Sequence, residues 1–87
     1  VNLFFSDDGW ADFCSWADTD TQRRLIELIE DARRHPFAGL GKPEALKGDL
    51  SGWWSRRITG EHRLVYRVRG KAGEDQRLEI IQCRYHY

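Results

Sequence analysis

Residues 53–69 read WWSRRITGEHRLVYRVR. Two runs rich in β-branched and aromatic residues flank the polar break Thr59-Gly60-Glu61-His62, the composition of two strands joined by a turn. In the second run Leu64, Tyr66 and Val68 alternate with Arg63, Arg67 and Arg69. Side chains along a strand point to opposite faces with period two. One face of this unit is therefore apolar and fit to cover a core, while the other bears arginines.

Downstream, residues 70–76 form a polar hairpin loop, and residues 77–85 read as a last strand. Its odd positions include Ile81 and Cys83; its even positions include Gln82 and Arg84 and, by extension, His86. Upstream, residues 36–52 hold Pro36, Gly39, Gly41, Pro43, Gly48 and Gly52 and read as a long loop. A loop of that length in so short a chain is usually functional or disordered, and it carries Lys42, Glu44, Lys47 and Asp49. Before it, Leu25, Ile26, Ile29 and Ala32 mark the buried stripe of a helix. Arg33, Arg34 and His35 lie in its last turn, where cations suit the helix dipole, and Pro36 stops it. Asp18-Thr19-Asp20-Thr21 separates it from an earlier helix with Trp10, Phe13, Cys14 and Ala17 on one face. Ser6 and Asp7 are N-cap types for that first helix, and residues 1–5 read as a short strand. The reading is an α+β fold of order β-α-α-β-β-β, two helices packed on a small, mostly antiparallel sheet, with residues 1–87 as one domain.

The 87 residues are 40% hydrophobic and 13% aromatic, enough for an ordered core. Formal net charge is zero, but residues 1–52 carry 6 basic and 10 acidic side chains, against 8 and 4 in residues 53–87. A neutral chain can thus present one basic face to phosphates. Cys14 and Cys83 stand without a CxxC or a His/Cys cluster, which argues against a zinc site. Both thiols are expected in the core. No apolar run reaches the ~18 residues that span a bilayer. No basic, apolar, cleavable leader opens the sequence, so the expected setting is the reducing cytoplasm.

Period two places Ser55 with Arg57, Arg63 with Arg67, and Arg84 with His86. If those sides coincide, several guanidiniums and one imidazole converge, and guanidinium holds phosphate with a planar, two-pronged donor set. Glu44 from the neighbouring loop would complete an acid–base pair. Such a set fits RNA cleavage without metal or other cofactor. A base takes the 2′-OH proton, the oxygen attacks the adjacent phosphorus, an acid protonates the departing 5′-oxygen, and a cation stabilises the phosphorane. A carboxylate with an ordinary value near ~4.3 is ionised at neutral pH, and an imidazole near ~6.5 retains a protonated fraction there. Taken one at a time these residues have plainer readings: Glu44 a surface loop residue, Arg63 an exposed strand position, His86 a solvated side chain, Trp53-Trp54 a core and rim pair.

The order of motifs is more specific than any single residue. Lys42-Pro43-Glu44-Ala45-Leu46-Lys47 is followed by Leu50-Ser51-Gly52, then Trp54-Ser55-Arg56-Arg57-Ile58, then Glu61-His62-Arg63-Leu64-Val65-Tyr66, then Cys83-Arg84-Tyr85-His86-Tyr87. Trp10, Trp16 and Arg33-Arg34 before Pro36-Phe37 extend the pattern. Together these stretches resemble the YoeB (Txe/YoeB) family, a branch of the RelE-like toxins, over essentially the whole chain.

The resemblance implies an mRNA endonuclease of a type II toxin–antitoxin pair, acting in the ribosomal A site and disabled by a YefM-type antitoxin. The complex with the antitoxin would repress its own operon on operator DNA, and toxins of this kind often form homodimers. By motif, it implies Glu44 as general base, Arg63 as phosphate-stabilising cation, and His86 as general acid with Tyr87 beside it. Lys47 and Arg57 match further basic site residues, and Arg56 and Arg84 are expected to join them on RNA. Two departures stand out: Ala45 where a second proline is common, and a long 70–76 loop. Two other functions compete with the ribosome-dependent one: a non-catalytic co-repressor, and a free-standing ribonuclease acting on naked RNA.

Overall fold

The computed structural model describes residues 1–71 and 73–85. Five strands form one sheet, β1 (Asn2–Phe5), β2 (Glu44–Ala45), β3 (Trp54–Arg57), β4 (Arg63–Arg69) and β5 (Arg77–Gln82), in the order β1-β5-β4-β3-β2. Two helices, α1 (Asp7–Ser15) and α2 (Asp20–Arg34), lie between β1 and β2 in the chain. Every strand pair is antiparallel except β1 with β5. Parallel pairing requires a long crossover, and here both helices and the β3–β4 hairpin intervene. The architecture is the expected α+β one, with a two-residue β2 added inside the long loop.

The helix ends follow from local chemistry. Ser6 accepts the Gly9 N–H at 3.0 Å and caps α1. Thr19 accepts the Gln22 N–H at 3.1 Å and caps α2. Arg33 and Arg34 occupy the last turn of α2, and Pro36 follows one residue beyond the cap. The core joins Leu25, Leu28, Ile29 and Ala32 of α2 to Leu64 and Tyr66 of β4, Leu78 and Ile80 of β5, Ile58 and Cys83.

Three expectations about burial shift. In α2 the stripe uses Leu28, fully buried, and leaves Ile26 exposed, because the face is centred one residue further round. In α1 the inward residue is Gly9. A Cβ there would lie 2.6 Å from the Ile80 carbonyl oxygen, so only glycine lets the helix approach β5 this closely. That rotation leaves Trp10 and Cys14 exposed, and Cys14 is not a core thiol. Cys83 is, and burial pushes its thiol up to about 12.

The last strand is shorter than expected. β5 stops at Gln82, because Asp12 accepts the Cys83 N–H at 3.1 Å and Trp16 Nε1 donates to the Cys83 carbonyl at 2.8 Å. These bonds take the backbone of Cys83 out of the sheet and toward α1.

Candidate active site on the open sheet face

Register decides which side chains share a face. Glu44 pairs with Ser55, Ser55 with Val65, and Val65 with Gln82. One row of the sheet therefore runs Glu44, Ser55, Val65, Gln82. Two residues along β3, Arg57 pairs with Arg63, which puts both guanidiniums on that same face. The opposite face carries Arg56, Leu64, Tyr66, Leu78 and Ile80, opposed to the helices. With ~4.8 Å between strands and ~3.3 Å per residue, the Cα atoms of Glu44 and Arg63 stand roughly 12 Å apart. Glu44 is exposed on β2 and Arg63 half-buried on β4.

The bulge between β4 and β5 makes this alignment possible. Val65 pairs with Gln82 but Tyr66 pairs with Ile80, so Ile81 is the extra residue. A bulge bends its strand and re-aims the side chains beyond it. Without it, Gln82 would face the core.

Two arginine pairs stand directly opposite on this face, Arg57 with Arg63 and Arg69 with Arg77, and of these Arg77 has a carboxylate partner in Glu79. Like charges directly opposite on paired strands destabilise by a few tenths of a kcal/mol up to about 1. Among the described residues neither Arg57 nor Arg63 forms an ion pair. Arg63 Nη1 donates to the carbonyls of Thr59 (2.8 Å), His62 (3.0 Å) and Gly60 (3.3 Å), which ties its guanidinium to the β3–β4 turn. Its Nε and Nη2 have no partner among the described residues. Glu44 and Lys47 are exposed, the first on β2 and the second beside the 3₁₀ turn Gly48–Leu50. An anion between Arg57 and Arg63 would relieve their repulsion.

The loop carrying Glu44 is held from both ends. Its leading end depends on Gly41, whose carbonyl accepts the Arg57 N–H at 2.7 Å. Gly41 sits at φ +79, and a Cβ there would lie 2.7 Å from Leu28 and 3.1 Å from Arg56. On the far side, pairing of Glu44 and Ala45 with β3 is extended by the Leu46 N–H to the Trp53 carbonyl at 2.9 Å. Strand pairing fixes the backbone where a second proline would otherwise restrict it.

Two arginines expected to contact RNA are engaged elsewhere. Arg56 is fully buried. Its Nε donates to the Tyr66 hydroxyl at 3.0 Å, Nη1 to Asp31 (2.6 Å) and the Leu40 carbonyl (3.0 Å), and Nη2 to the carbonyls of His35 (2.5 Å) and Ala38 (2.8 Å). Those contacts match the five N–H donors of a guanidinium, so Arg56 staples the 35–40 loop to the sheet and has no donor left for RNA. Leu40's N–H and the Arg56 guanidinium hold the Asp31 carboxyl below its usual range. Arg84 lies past the end of β5, beyond strand alternation. Its guanidinium lies 4.2 Å from the centre of the Trp16 ring, and Nη1 donates to Ser15 Oγ at 2.9 Å, which fastens the segment after β5 to α1.

His86 and Tyr87 lie outside the described residues. The residues before them are tightly placed. The Tyr85 carbonyl accepts the Arg63 N–H at 3.0 Å, and Gln82 Nε2 donates to the carbonyls of Arg84 (3.0 Å) and Tyr85 (3.3 Å). The chain at Tyr85 thus stands beside Arg63. Gln82, which the register brings into the row with Glu44, was not among the expected site residues, although the side of the strand on which it falls was noted. His62 was likewise passed over as a turn residue.

A groove of about 420 Å³ continues along the same face toward β1, lined by Phe4, Trp53, Arg67, Arg77, Glu79 and Ile81 among others. Two of its cations share one anion: Arg67 and Arg77 both bind Glu79, at 2.7 and 2.9 Å, which leaves the groove net positive. Burial works to raise the Glu79 carboxyl, but its bond to Arg67 and the field of the nearby arginines leave it below the ordinary range. Trp53 is half-buried, with Arg67 over its ring at 4.4 Å.

The family model describing the YoeB-like toxin of bacterial type II toxin–antitoxin systems matches residues 5–87. The chain belongs to that family. Toxin YoeB of Escherichia coli K12 is 52% identical over the full length of both chains. A solved YoeB/ParE toxin from Agrobacterium tumefaciens is 54% identical and superposes with a TM-score of 0.92, covering all of both chains. Staphylococcus aureus YoeB has been solved as a dimer, 38% identical with a TM-score of 0.84, and in a YoeB–YefM complex, 37% identical with a TM-score of 0.83. Each covers 100% of this chain and 98% of that one. Membership of the YoeB family makes the chain the toxin of a toxin–antitoxin system. Among the described residues no helix is long and apolar enough to cross a membrane.

Proposed function

We propose that this YoeB-family toxin is an endoribonuclease that cuts mRNA in the ribosomal A site, with Glu44, Arg63 and His86 around one ribose-phosphate linkage. The observation that carries this reading is the cross-strand Arg57–Arg63 pair on the face that also bears Glu44, beside the chain at Tyr85. A fold gains nothing by opposing two arginines; a polyanion bound between them does.

In this scheme Glu44 takes the 2′-OH proton. The 2′-oxygen attacks phosphorus, and Arg63 with Arg57 offsets the charge gathering on the non-bridging oxygens. His86 gives its proton to the leaving 5′-oxygen, with Tyr87 next to it, and a 2′,3′-cyclic phosphate and a 5′-OH result. Lys47, exposed past β2, is the remaining basic contact for the RNA backbone. The nucleophile is the RNA's own hydroxyl, so the chain contributes proton transfer, charge and position.

Each proton transfer contributes about 10²–10⁴-fold. Much of a nuclease's rate must then come from in-line placement of the 2′-OH, where orientation is worth several orders of magnitude. Glu44 and Lys47 are exposed, so the described residues alone hold a flexible RNA in line only weakly. The ribosome, gripping the codon, is the scaffold that does.

The partner we assign is an antitoxin of the YefM type, by analogy with the S. aureus complex; the S. aureus dimer supports self-association of this chain as well. Through the antitoxin the complex would reach operator DNA. The setting is the cytoplasm, where the ribosomes are.

The test is expression of the chain in growing cells, with mapping of 5′ ends on one translated message. Arrest with new ends inside codons of that message, and loss of both on His86→Ala, are expected. A chain that leaves translation running is a co-repressor only. Equal cutting of naked and ribosome-bound message would make it a free-standing ribonuclease.

A further inference from the structure

The segment between β5 and His86 is held by one side chain that no role above uses. The Tyr85 N–H donates to His62 Nδ1 at 2.7 Å. The imidazole packs edge-on against Trp16, with ring centres 4.7 Å apart at 77°, and lies 5.3 Å from the Tyr85 ring. Trp16 in turn donates to the Cys83 carbonyl. Tyr85 sits at φ 59, in the left-handed region where a side chain costs about 1–2 kcal/mol. A non-glycine residue stays there only when its surroundings over-determine it. At Tyr85 they do: its N–H is taken by His62 and its carbonyl by Arg63 and Gln82.

We propose that His62 is a positioning residue for cleavage: as a neutral acceptor at Nδ1, wedged against Trp16, it fixes the backbone of Tyr85 beside Arg63 and so sets where His86 begins. This deepens the ribonuclease reading and rests on it. The accepted hydrogen bond assigns the tautomer, since a neutral imidazole accepting at Nδ1 carries its proton at Nε2. Neither nitrogen reaches the RNA in this scheme; His62 acts through the chain it holds. The division of labour follows from the turn sequence, where His62 and Arg63 are adjacent: one takes Tyr85 by its N–H, the other by its carbonyl.

Two substitutions separate the acceptor from the ring. His62→Phe keeps the ring against Trp16 and removes the acceptor. His62→Asn removes the ring and keeps an acceptor oxygen near the place of Nδ1. Single-turnover cleavage of mRNA on programmed ribosomes is measured for both, beside wild type and His86→Ala, over a range of ribosome concentration. Displacement of a catalytic group by about 1 Å costs on the order of 100-fold. His62→Phe is therefore expected to lose roughly 10- to 100-fold in maximal rate while its half-saturating concentration stays unchanged, with faster hydrogen exchange at the Tyr85 amide. His62→Asn is expected to recover most of the rate. If His62→Phe does not fold, His62→Leu against His62→Gln makes the same comparison of no acceptor with acceptor. Wild-type rate in His62→Phe, or His62→Asn no better than His62→Phe, overturns the positioning role while the loss in His86→Ala leaves the ribonuclease reading standing. Wild-type rate in His86→Ala overturns that reading itself.

Discussion

Replacing Arg56 by methionine should unfold this protein at far lower denaturant without acting through RNA. The guanidinium is fully buried and makes five contacts, to Tyr66, Asp31, and the carbonyls of Leu40, His35 and Ala38. Methionine fills a similar volume and restores none of them. The cost is less than five separate penalties, because His35, Ala38 and Leu40 are exposed residues whose carbonyls water can reach. The Tyr66 hydroxyl also keeps its bond to the Pro36 carbonyl. What remains is the broken ion pair with Asp31. Removing one partner of a buried pair costs about 3–5 kcal/mol, offset by ~1 kcal/mol from the added apolar burial. A net loss of about 2–4 kcal/mol is a large share of the 5–15 kcal/mol that holds a typical domain together. At ~4–8 °C per kcal/mol for a domain of this size, the melting midpoint should fall by roughly 10–30 °C. Urea unfolding followed by tryptophan fluorescence measures it directly. Arg56→Lys should recover less than half, since an ammonium has three donors and no planar fork. An Arg56→Met protein within 0.5 kcal/mol of wild type, but weak on RNA, would refute the assignment and return Arg56 to the RNA surface.

Other expectations are independent of it. Gly9→Ala places a methyl 2.6 Å from the Ile80 carbonyl, and should cost about 1–3 kcal/mol in urea unfolding, whereas an exposed helix position would gain from alanine. Arg57→Thr removes one of two opposed arginines, so stability should hold or rise by a few tenths of a kcal/mol while binding to ribosome-bound mRNA weakens and its salt dependence flattens; a parallel loss of both would contradict the unpaired-cation account. The Asp31 carboxyl is held low in the folded state, chiefly by the Leu40 N–H and then by Arg56, so its contribution is present above the unfolded value near ~3.9 and fades as pH falls through the lower folded value. Asp31→Asn should therefore be less stable at neutral pH and show a flatter urea midpoint against pH below about pH 4. A YefM-type antitoxin should either displace the segment at Arg84 and Tyr85 or cover the open face, and a structure of the complex with both free would contradict this.

The fold was legible in the sequence where one periodicity ruled. The alternation of residues 63–69 placed β4 to the residue, and Pro36 with the basic last turn placed the end of α2. What escaped the sequence were facts of tertiary contact. Nothing local says that Gly9, rather than Trp10 and Cys14, faces the sheet; that follows from how near α1 must come to β5. Ser55 and Arg56 alternate in sequence as two polar neighbours, and only the loop at 35–40, with its carbonyls turned inward, makes Arg56 a core residue. Period two grouped Ser55 with Arg57 and Arg63 with Arg67 on their own strands; only the register shows that the two sides coincide and joins Glu44 to them. The last strand, expected to run to Tyr85, stops at Gln82, so strand alternation does not reach Arg84. Gln82 reaches the open face through a bulge at Ile81, which no residue type there announces.

The rate of a single cut tests Glu44 and His86 as base and acid most directly. Message held on ribosomes with a defined codon in the A site, mixed with excess toxin, gives the single-turnover rate and the chemistry of both new ends. A cyclic phosphate and a free 5′-hydroxyl are expected, with the rate lowered by about 10²–10⁴-fold in each of Glu44→Ala and His86→Ala while both stay folded. Cutting at wild-type rate by both variants would contradict those roles.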